Sequence, residues 1–508
     1  MHNVAGRANA PETAGTGPAR LYTSFGSAGS IAAEPDAELI ELHNPADGSH
    51  YGTVAAASAA VVDSVVRSAR EAHRSWMAMQ PSKRTRLLVD WARLVEAHAP
   101  ELAALDVESV GRVYAEALGD VVKSTPQIEY WAHEGPQLMR RTERSAVPGH
   151  LFLTCPAPVG LVALLLPSNV PSRMFLAHAA VALGCGNAIV VKPADATPSS
   201  ALRLAELAVE AGLPAGLIGV VVGGGATGAA LVAHDVVGGI SFTGSTATGR
   251  RVAVSAAERF AKVALELGGK SPQIVFPDAD LEAASEAIVW SFCANAGQIC
   301  TAGTRALVHR DVYDAVLERV TTLVARVRVG DPNDPATHVG PLATRRQLDH
   351  VTGLVERGKQ EARLVHGGSP MPELGGYYFQ PTIFADVPPD AEIFQREAFG
   401  PVLCVTAFED ENEAIALAND SDYALASNVW TADLRRALRI AERIQAGTVW
   451  CATSRLGDPH QPIRAAQKSG NAHYRGLVDV FTTEKLVAVT LDEDDHGPSW
   501  GLAIEEKE

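Results

Sequence analysis

Two short glycine-flanked motifs carry groups that could do chemistry together. Leu-Glu-Leu-Gly-Gly-Lys-Ser, residues 265–271, holds the carboxylate of Glu266. Ala-Gly-Gln-Ile-Cys-Thr-Ala-Gly-Thr-Arg, residues 296–305, holds the thiol of Cys300. A thiolate attacks a carbonyl carbon, and a carboxylate can activate the water that releases the product. The glycines permit close backbone approach of a ligand. Each group also has a plainer reading. Glu266 reads as a strand-end carboxylate in a salt bridge, and a cysteine in an apolar chain reads as a small buried hydrophobe. That second reading suits Cys155, Cys185, Cys293, Cys404 and Cys451. Cys300 differs, because glycine and polar neighbours suit an accessible loop.

Further residues fall at similar junctions. Asn169, in Leu-Pro-Ser-Asn-Val-Pro, reads as a turn residue or as an amide aimed into a cleft to hold an oxyanion. Residues 242–249, Phe-Thr-Gly-Ser-Thr-Ala-Thr-Gly, follow a strand and open a helix. Free N–H groups at a helix start attract a pyrophosphate, although the spacing is not Gly-x-Gly-x-x-Gly. Lys192 and Asp195 are either solvated loop charges or partners for ribose hydroxyls. Glu397, before Ala398-Phe399-Gly400-Pro401, is a surface-loop carboxylate or a ligand contact. His460 and His473 come with no ligand set, so a metal enzyme is not expected.

The elements that must position these groups alternate. Residues 160–166, 187–191, 217–222 and 236–242 read as buried strands. Helices over 172–183 and 199–211, and one after Gly244, lie between or beyond them. This rhythm implies a parallel sheet covered on both faces, with ligands at the carboxyl ends of its strands. After Gly269 the pattern restarts with a strand at 273–276 and a helix at 281–292, so a second α/β domain follows. Glu266 to Gly269 then lies near the hinge. Upstream, Val62, Val65, Val66 and Ala69, then Leu87, Leu88, Trp91, Leu94 and Val95, recur at helical spacing. Residues 486–491 are β-prone and suit pairing with a neighbouring subunit.

A chain of 508 residues exceeds one hydrophobic core and calls for two or three domains. The net charge of -16 argues against nucleic acid or an anionic membrane as partner. Six scattered cysteines without a Cys-x-x-Cys pair point to reduced thiols and a cytoplasmic setting. No apolar run reaches the roughly 18 residues of a membrane span. Residues 1–35, rich in small and polar types, read as a mobile tail.

Taken in order, Asn169, Lys192, the Gly244 to Gly249 turn, Glu266, Cys300 and Glu397 resemble the aldehyde dehydrogenase superfamily, of the NAD(P)-dependent hydrolytic type. The resemblance spans residues 41–489. It implies a Rossmann-like cofactor domain (36–140 and 156–266), a catalytic α/β domain (267–470) and oligomerisation elements (141–155 and 480–495), followed by an acidic tail (496–508). It implies a homodimer or homotetramer. Cys300 would be the nucleophile, Glu266 the general base, and Asn169 the oxyanion donor. Lys192, Asp195, Ser168, Gly244, Ser245, Gly249, Gly268, Glu397 and Phe399 would hold the cofactor. NAD is favoured over NADP, because a carboxylate at Asp195 repels an extra phosphate. That position usually carries Glu, so the preference is moderate.

The chain also departs from the family. Ser168 and Ala177 stand where tryptophans are frequent, and His178 where lysine is usual. Residues 462–470, Pro-Ile-Arg-Ala-Ala-Gln-Lys-Ser-Gly, lack the usual phenylalanine and two adjacent glycines. These changes favour a bulky aliphatic or aromatic aldehyde. Arg173 either binds the carboxylate of a semialdehyde or is a surface helix charge. Two other readings compete: a CoA-acylating dehydrogenase, which Glu266 argues against, and a catalytically silent relative.

Overall fold

The computed structural model describes residues 19–138, 147–453, 462–463, 465–471, 473–474 and 476–491. Its first sheet runs in the order Lys262–Glu266, Gly239–Thr243, Leu161–Leu165, Ala188–Lys192, Ile218–Val220, Phe25–Gly26, Gly29–Ser30. The first five strands are parallel, and the last two form an antiparallel edge. Leu161–Leu165 (LVALL) and most of Ala188–Lys192 (AIVVK) are buried, as expected where helices cover both faces.

One covering helix, Pro171–Gly184, is buried at every residue but Arg173 and Met174. Proline at its start costs nothing, because the first helical N–H has no partner within the helix. The helix crosses Tyr114–Leu138 in close contact. A Cβ on Gly135 would lie 2.1 Å from the Gly184 carbonyl oxygen, so glycine is required there.

The second sheet has the order Arg363–His366, Thr382–Ala385, Val402–Phe408, Gly303–His309, Ser271–Val275, Ala426–Trp430, Thr448–Cys451. Only the Arg363–His366 edge is antiparallel. Two hydrophobic cores accompany the two sheets. One draws on residues from Tyr22 to Leu267, with Leu477 and Phe481 returning to it. The other draws on residues from Ile274 to Ile444.

The expected tail through residue 35 is corrected from residue 19 onward. Arg20–Tyr22 pairs in parallel with His50–Ala55, and the buried Phe25 pairs with Val220. Strands of two or three residues are too short to display a period, so only their long-range partners reveal them. The strand read at 236–242 begins instead at Gly239, because Val237 closes a turn onto the His234 carbonyl.

His150–Pro158 forms a two-stranded antiparallel ribbon with Thr482–Thr490, in register over nine pairs. Residues 141–146 of the expected hairpin, and the acidic tail from 492, lie outside the described residues. The ribbon exposes Leu486, Val487 and Val489. Among the described residues, no helix is long and apolar enough to cross a membrane.

Candidate active site

The site forms where the carboxyl ends of the first sheet meet the amino ends of the second. Leu161–Leu165 leads to Ser168 and Asn169, Ala188–Lys192 to Asp195, Gly239–Thr243 to Ser245, and Lys262–Glu266 ends on Glu266 itself. Across from them, Ser271–Val275, Gly303–His309 and Val402–Phe408 begin just after Gly269, Cys300 and Glu397.

Cys300 sits, partly exposed, at the end of a loop with unusual backbone. Asn295, Ala296 and Gly297 all have left-handed φ, at 51°, 53° and 72°. Such strain at non-glycine residues persists only where surroundings hold it. Here the holding is explicit. Asn295 Nδ2 donates to the Asn169 carbonyl at 3.0 Å, and Asn169 Nδ2 donates to the Gln298 carbonyl at 2.7 Å. Gln298 in turn accepts from the Ala343 N–H at 2.9 Å. Asn169 is thus locked beside the cysteine loop. Its amide carries a second N–H, which an oxyanion could take. Asn295 and Gln298 were not singled out from the sequence. The one available signal was an asparagine, tolerant of left-handed backbone, two residues before glycine.

Glu266 is 6% exposed, and its Oε1 lies 3.4 Å from His178 Nε2. Its carbonyl accepts from the Gly244 N–H at 3.0 Å, which ties the helix-opening turn to the strand that ends on Glu266. The Gly268–Gly269 pair serves two close approaches. A Cβ on Gly268 would meet Glu397 Oε2 at 2.2 Å, and one on Gly269 would meet the Cys300 carbonyl oxygen at 2.3 Å. The Gly269 N–H donates to Glu397 Oε1 at 3.0 Å. Burial pushes the Glu397 carboxyl up to about 7, against the downward pull of that bond and of Lys270. Arg305, the last residue of the cysteine motif, is buried and donates to the carbonyls of Lys270, Leu417, Ala418 and Asp420, joining the two motifs from below.

The altered segment near residue 470 also reaches this junction. Glu266 and Gly470 form an antiparallel bridge, and Leu267 N–H donates to the Ser469 carbonyl at 3.0 Å. Ser469 Oγ donates to the Gly268 carbonyl at 2.7 Å. Residues 465–470 therefore brace the hinge although the usual glycines are gone. Arg464 lies outside the described residues.

Most of the remaining candidates line the carboxyl edge of the first sheet, and Phe399 lies across from them, ahead of Val402–Phe408. Lys192 Nζ donates to the Pro193 carbonyl at 2.9 Å, and burial lowers its pKa while Asp195 raises it. Asp195 is exposed and accepts from the Ala196 N–H. Ser245 is the exposed cap of Thr246–Ala257, accepting from the Thr248 N–H at 3.4 Å. Gly249 is buried, and a Cβ there would lie 2.6 Å from Leu267, so it permits helix packing. Ser168 is half-buried in the loop before Asn169. Phe399 has left-handed backbone, and its carbonyl accepts from Gln347 Nε2 at 2.9 Å. An ammonium and a helix start along one edge, with the seated Glu397 carboxylate across from them, suit a dinucleotide with its charged phosphates and ribose hydroxyls. Arg173 stands one turn beyond Asn169, 3.4 Å from Asp120, which also binds Arg112 at 2.8 Å. Among the described residues, no group of three or more His, Cys, Asp or Glu could hold a metal ion.

The aldehyde dehydrogenase family model matches residues 32–487. The aldehyde dehydrogenase KauB from Pseudomonas aeruginosa is 36% identical, with TM-score 0.89, over 92% of this chain and 96% of that one. An NAD-dependent aldehyde dehydrogenase from Sinorhizobium meliloti is 35% identical, with TM-score 0.91, over 95% and 96%. The P. syringae indole-3-acetaldehyde dehydrogenase AldA, a mutant in complex with NAD+ and IAA, is 36% identical, with TM-score 0.89, over 92% and 96%. With its two-sheet fold and the motifs meeting at one junction, the chain belongs to the aldehyde dehydrogenase family.

Proposed function

We propose that this protein oxidises an aldehyde to a carboxylic acid, with NAD as acceptor, through a covalent intermediate on Cys300. The observation that carries the proposal is the convergence of Asn169, the Gly268–Gly269 pair and the Cys300 loop at one partly open junction. The Cys300 thiolate attacks the aldehyde carbon. The second N–H of Asn169 and the Cys300 backbone N–H stabilise the oxyanion. NAD bound here would supply the hydride acceptor, and loss of hydride from the thiohemiacetal would leave a thioester on Cys300. Glu266 then takes a proton from water, and hydrolysis returns the thiolate.

Lys192 and Asp195 would hold the adenosine ribose, Ser245 the pyrophosphate, and Glu397 the nicotinamide ribose. The exposed Asp195 favours NAD over NADP by charge repulsion. Ala177, buried where bulk is usual, supports a bulky aliphatic or aromatic aldehyde, and the P. syringae relative's aromatic substrate favours the same class. The exposed apolar ribbon supports a homo-oligomer, and the free cysteines a cytoplasmic setting.

The test is NADH formation across short, long, aromatic and carboxylate-bearing aldehydes, with NADP in parallel. Cys300→Ala should abolish turnover. Folded protein that binds NAD yet oxidises nothing in the panel would point to a silent relative. A rate that requires added CoA would point to acyl transfer instead.

A further inference from the structure

We propose that His178 is a positioning residue for Glu266, so that thioester hydrolysis in this chain runs from a carboxylate held by imidazole. The assignment rests on the thioester mechanism above. His178 and Glu266 are both almost fully buried, with side chains 4% and 7% exposed, and Nε2 lies 3.4 Å from Oε1. On the other side of the ring, Nδ1 lies 3.3 Å from Ser241 Oγ. Ser241 is itself fully buried.

Sheet register produces this line of groups. Gly239–Thr243 pairs in parallel with Lys262–Glu266, with Ser241 opposite Ala264. Glu266 is two residues beyond Ala264, so Ser241 and Glu266 face the same side of the sheet. The Pro171–Gly184 helix lies over that side and presents His178 between them. When the serine hydroxyl donates to Nδ1, the neutral ring carries its proton on Nε2, the nitrogen that lies 3.4 Å from the carboxylate. Nucleophile activation commonly takes this form, a base oriented by a third group. Here the base is the carboxylate and the orienting group is the ring.

The chemistry asked of the pair is limited. Water oxygen bonds to the acyl carbon while one water proton moves to Glu266. The carbon–sulfur bond then breaks, with its electron pair returning to Cys300 as thiolate, and the acid departs. His178 forms no bond to substrate. It orients the carboxylate and offsets the cost of its buried charge while water approaches. Hydride transfer precedes this step and does not call on Glu266, so losing His178 should slow only the second half of the reaction.

The experiment compares full-length wild type with His178→Leu, His178→Gln, Ser241→Ala and Glu266→Gln on one turned-over aldehyde. Rapid mixing records the NADH burst, steady-state assays record turnover, and intact mass spectrometry records acyl adducts on Cys300. His178→Leu should keep the burst but lose about 10- to 100-fold in steady-state rate, the order expected when a polar partner is taken from a buried charged group, and should accumulate the adduct. His178→Gln, whose amide N–H replaces Nε2–H, should recover most of that loss. Ser241→Ala should fall between, and it keeps the test alive if His178→Leu does not fold. Burst and steady state falling together, with Gln no better than Leu, would reduce His178 to packing and overturn the proposal. So would wild-type turnover in His178→Leu. An adduct in Glu266→Gln but not in His178→Leu removes only the role of His178. No adduct even in Glu266→Gln removes the underlying mechanism as well.

Discussion

Replacing Gly269 by alanine tests whether the hinge glycine sets the position of the nucleophile. The added Cβ would lie 2.3 Å from the Cys300 carbonyl oxygen. A relaxed carbon–oxygen approach is about 3.3 Å, so one backbone must move by roughly 1 Å. Neither is easily moved. The Gly269 N–H is held by Glu397, and the Cys300 loop is held through Asn169, Asn295 and Gln298. Overpacking of this kind costs about 1–3 kcal/mol of stability. Catalysis should suffer more, because a 1 Å misplacement of reacting groups can cost about 100-fold in rate. Gly268→Ala is the matched control. There the obstacle is the carboxylate end of Glu397, 2.2 Å away, a side chain that can swing aside. The assays are kcat, NAD affinity and the rate of Cys300 alkylation by iodoacetamide. Gly269→Ala should lower kcat by about 100-fold and change alkylation. Gly268→Ala should mainly weaken NAD binding. A Gly269→Ala enzyme that keeps kcat and alkylation within threefold of wild type would refute the claim that this contact positions the thiol.

Other predictions follow from single contacts. Asn169→Ala should lower kcat by about 100- to 1,000-fold, as loss of an oxyanion donor does; a loss under tenfold in steady-state assays would remove that role. Asp106 is buried, and burial pushes its carboxyl from 3.8 up to about 6 despite the Arg112 charge. The folded carboxyl therefore binds a proton that the unfolded one releases. The cost of ionising it is absent below about pH 3.8, grows through the window up to 6, and is complete above it, at about 3 kcal/mol. Asp106→Asn should raise the melting temperature at pH 8 and give little gain near pH 4; an equal gain at both would contradict this account. Asp120 already engages Arg173, so Arg173→Leu should change kcat/KM for carboxylate-bearing and neutral aldehydes by the same small factor. A selective loss on the former would make Arg173 a substrate carboxylate ligand.

Much of the candidate site was legible in residue types and their order. Cys300, Glu266, Asn169 and Glu397 stand at glycine- or proline-marked ends of elements, and the strand–helix alternation already implied that such ends face ligands. Local apolar runs report burial directly, which is why Leu161–Leu165 and Pro171–Gly184 were recognisable within a residue or two. Pairing between distant segments leaves no such local trace. Arg20–Tyr22 and Phe25–Gly26 became strands only because His50–Ala55 and Ile218–Val220 offered edges to them. Residues 465–471, unfamiliar as a motif, found their place through backbone contacts with Leu265, Glu266 and Leu267, which need glycine at Gly470, where a Cβ would lie 2.0 Å from the Leu265 carbonyl oxygen, but little else of the usual motif. Arg173 kept its charge but acquired Asp120 from a helix more than fifty residues upstream. His178 stood out from the sequence as a departure, but only the register of two adjacent strands placed it between Ser241 and Glu266. Side-chain chemistry and local periodicity belong to the linear chain. The partner that each group meets is decided by which surfaces close against one another, and that depends on every element at once.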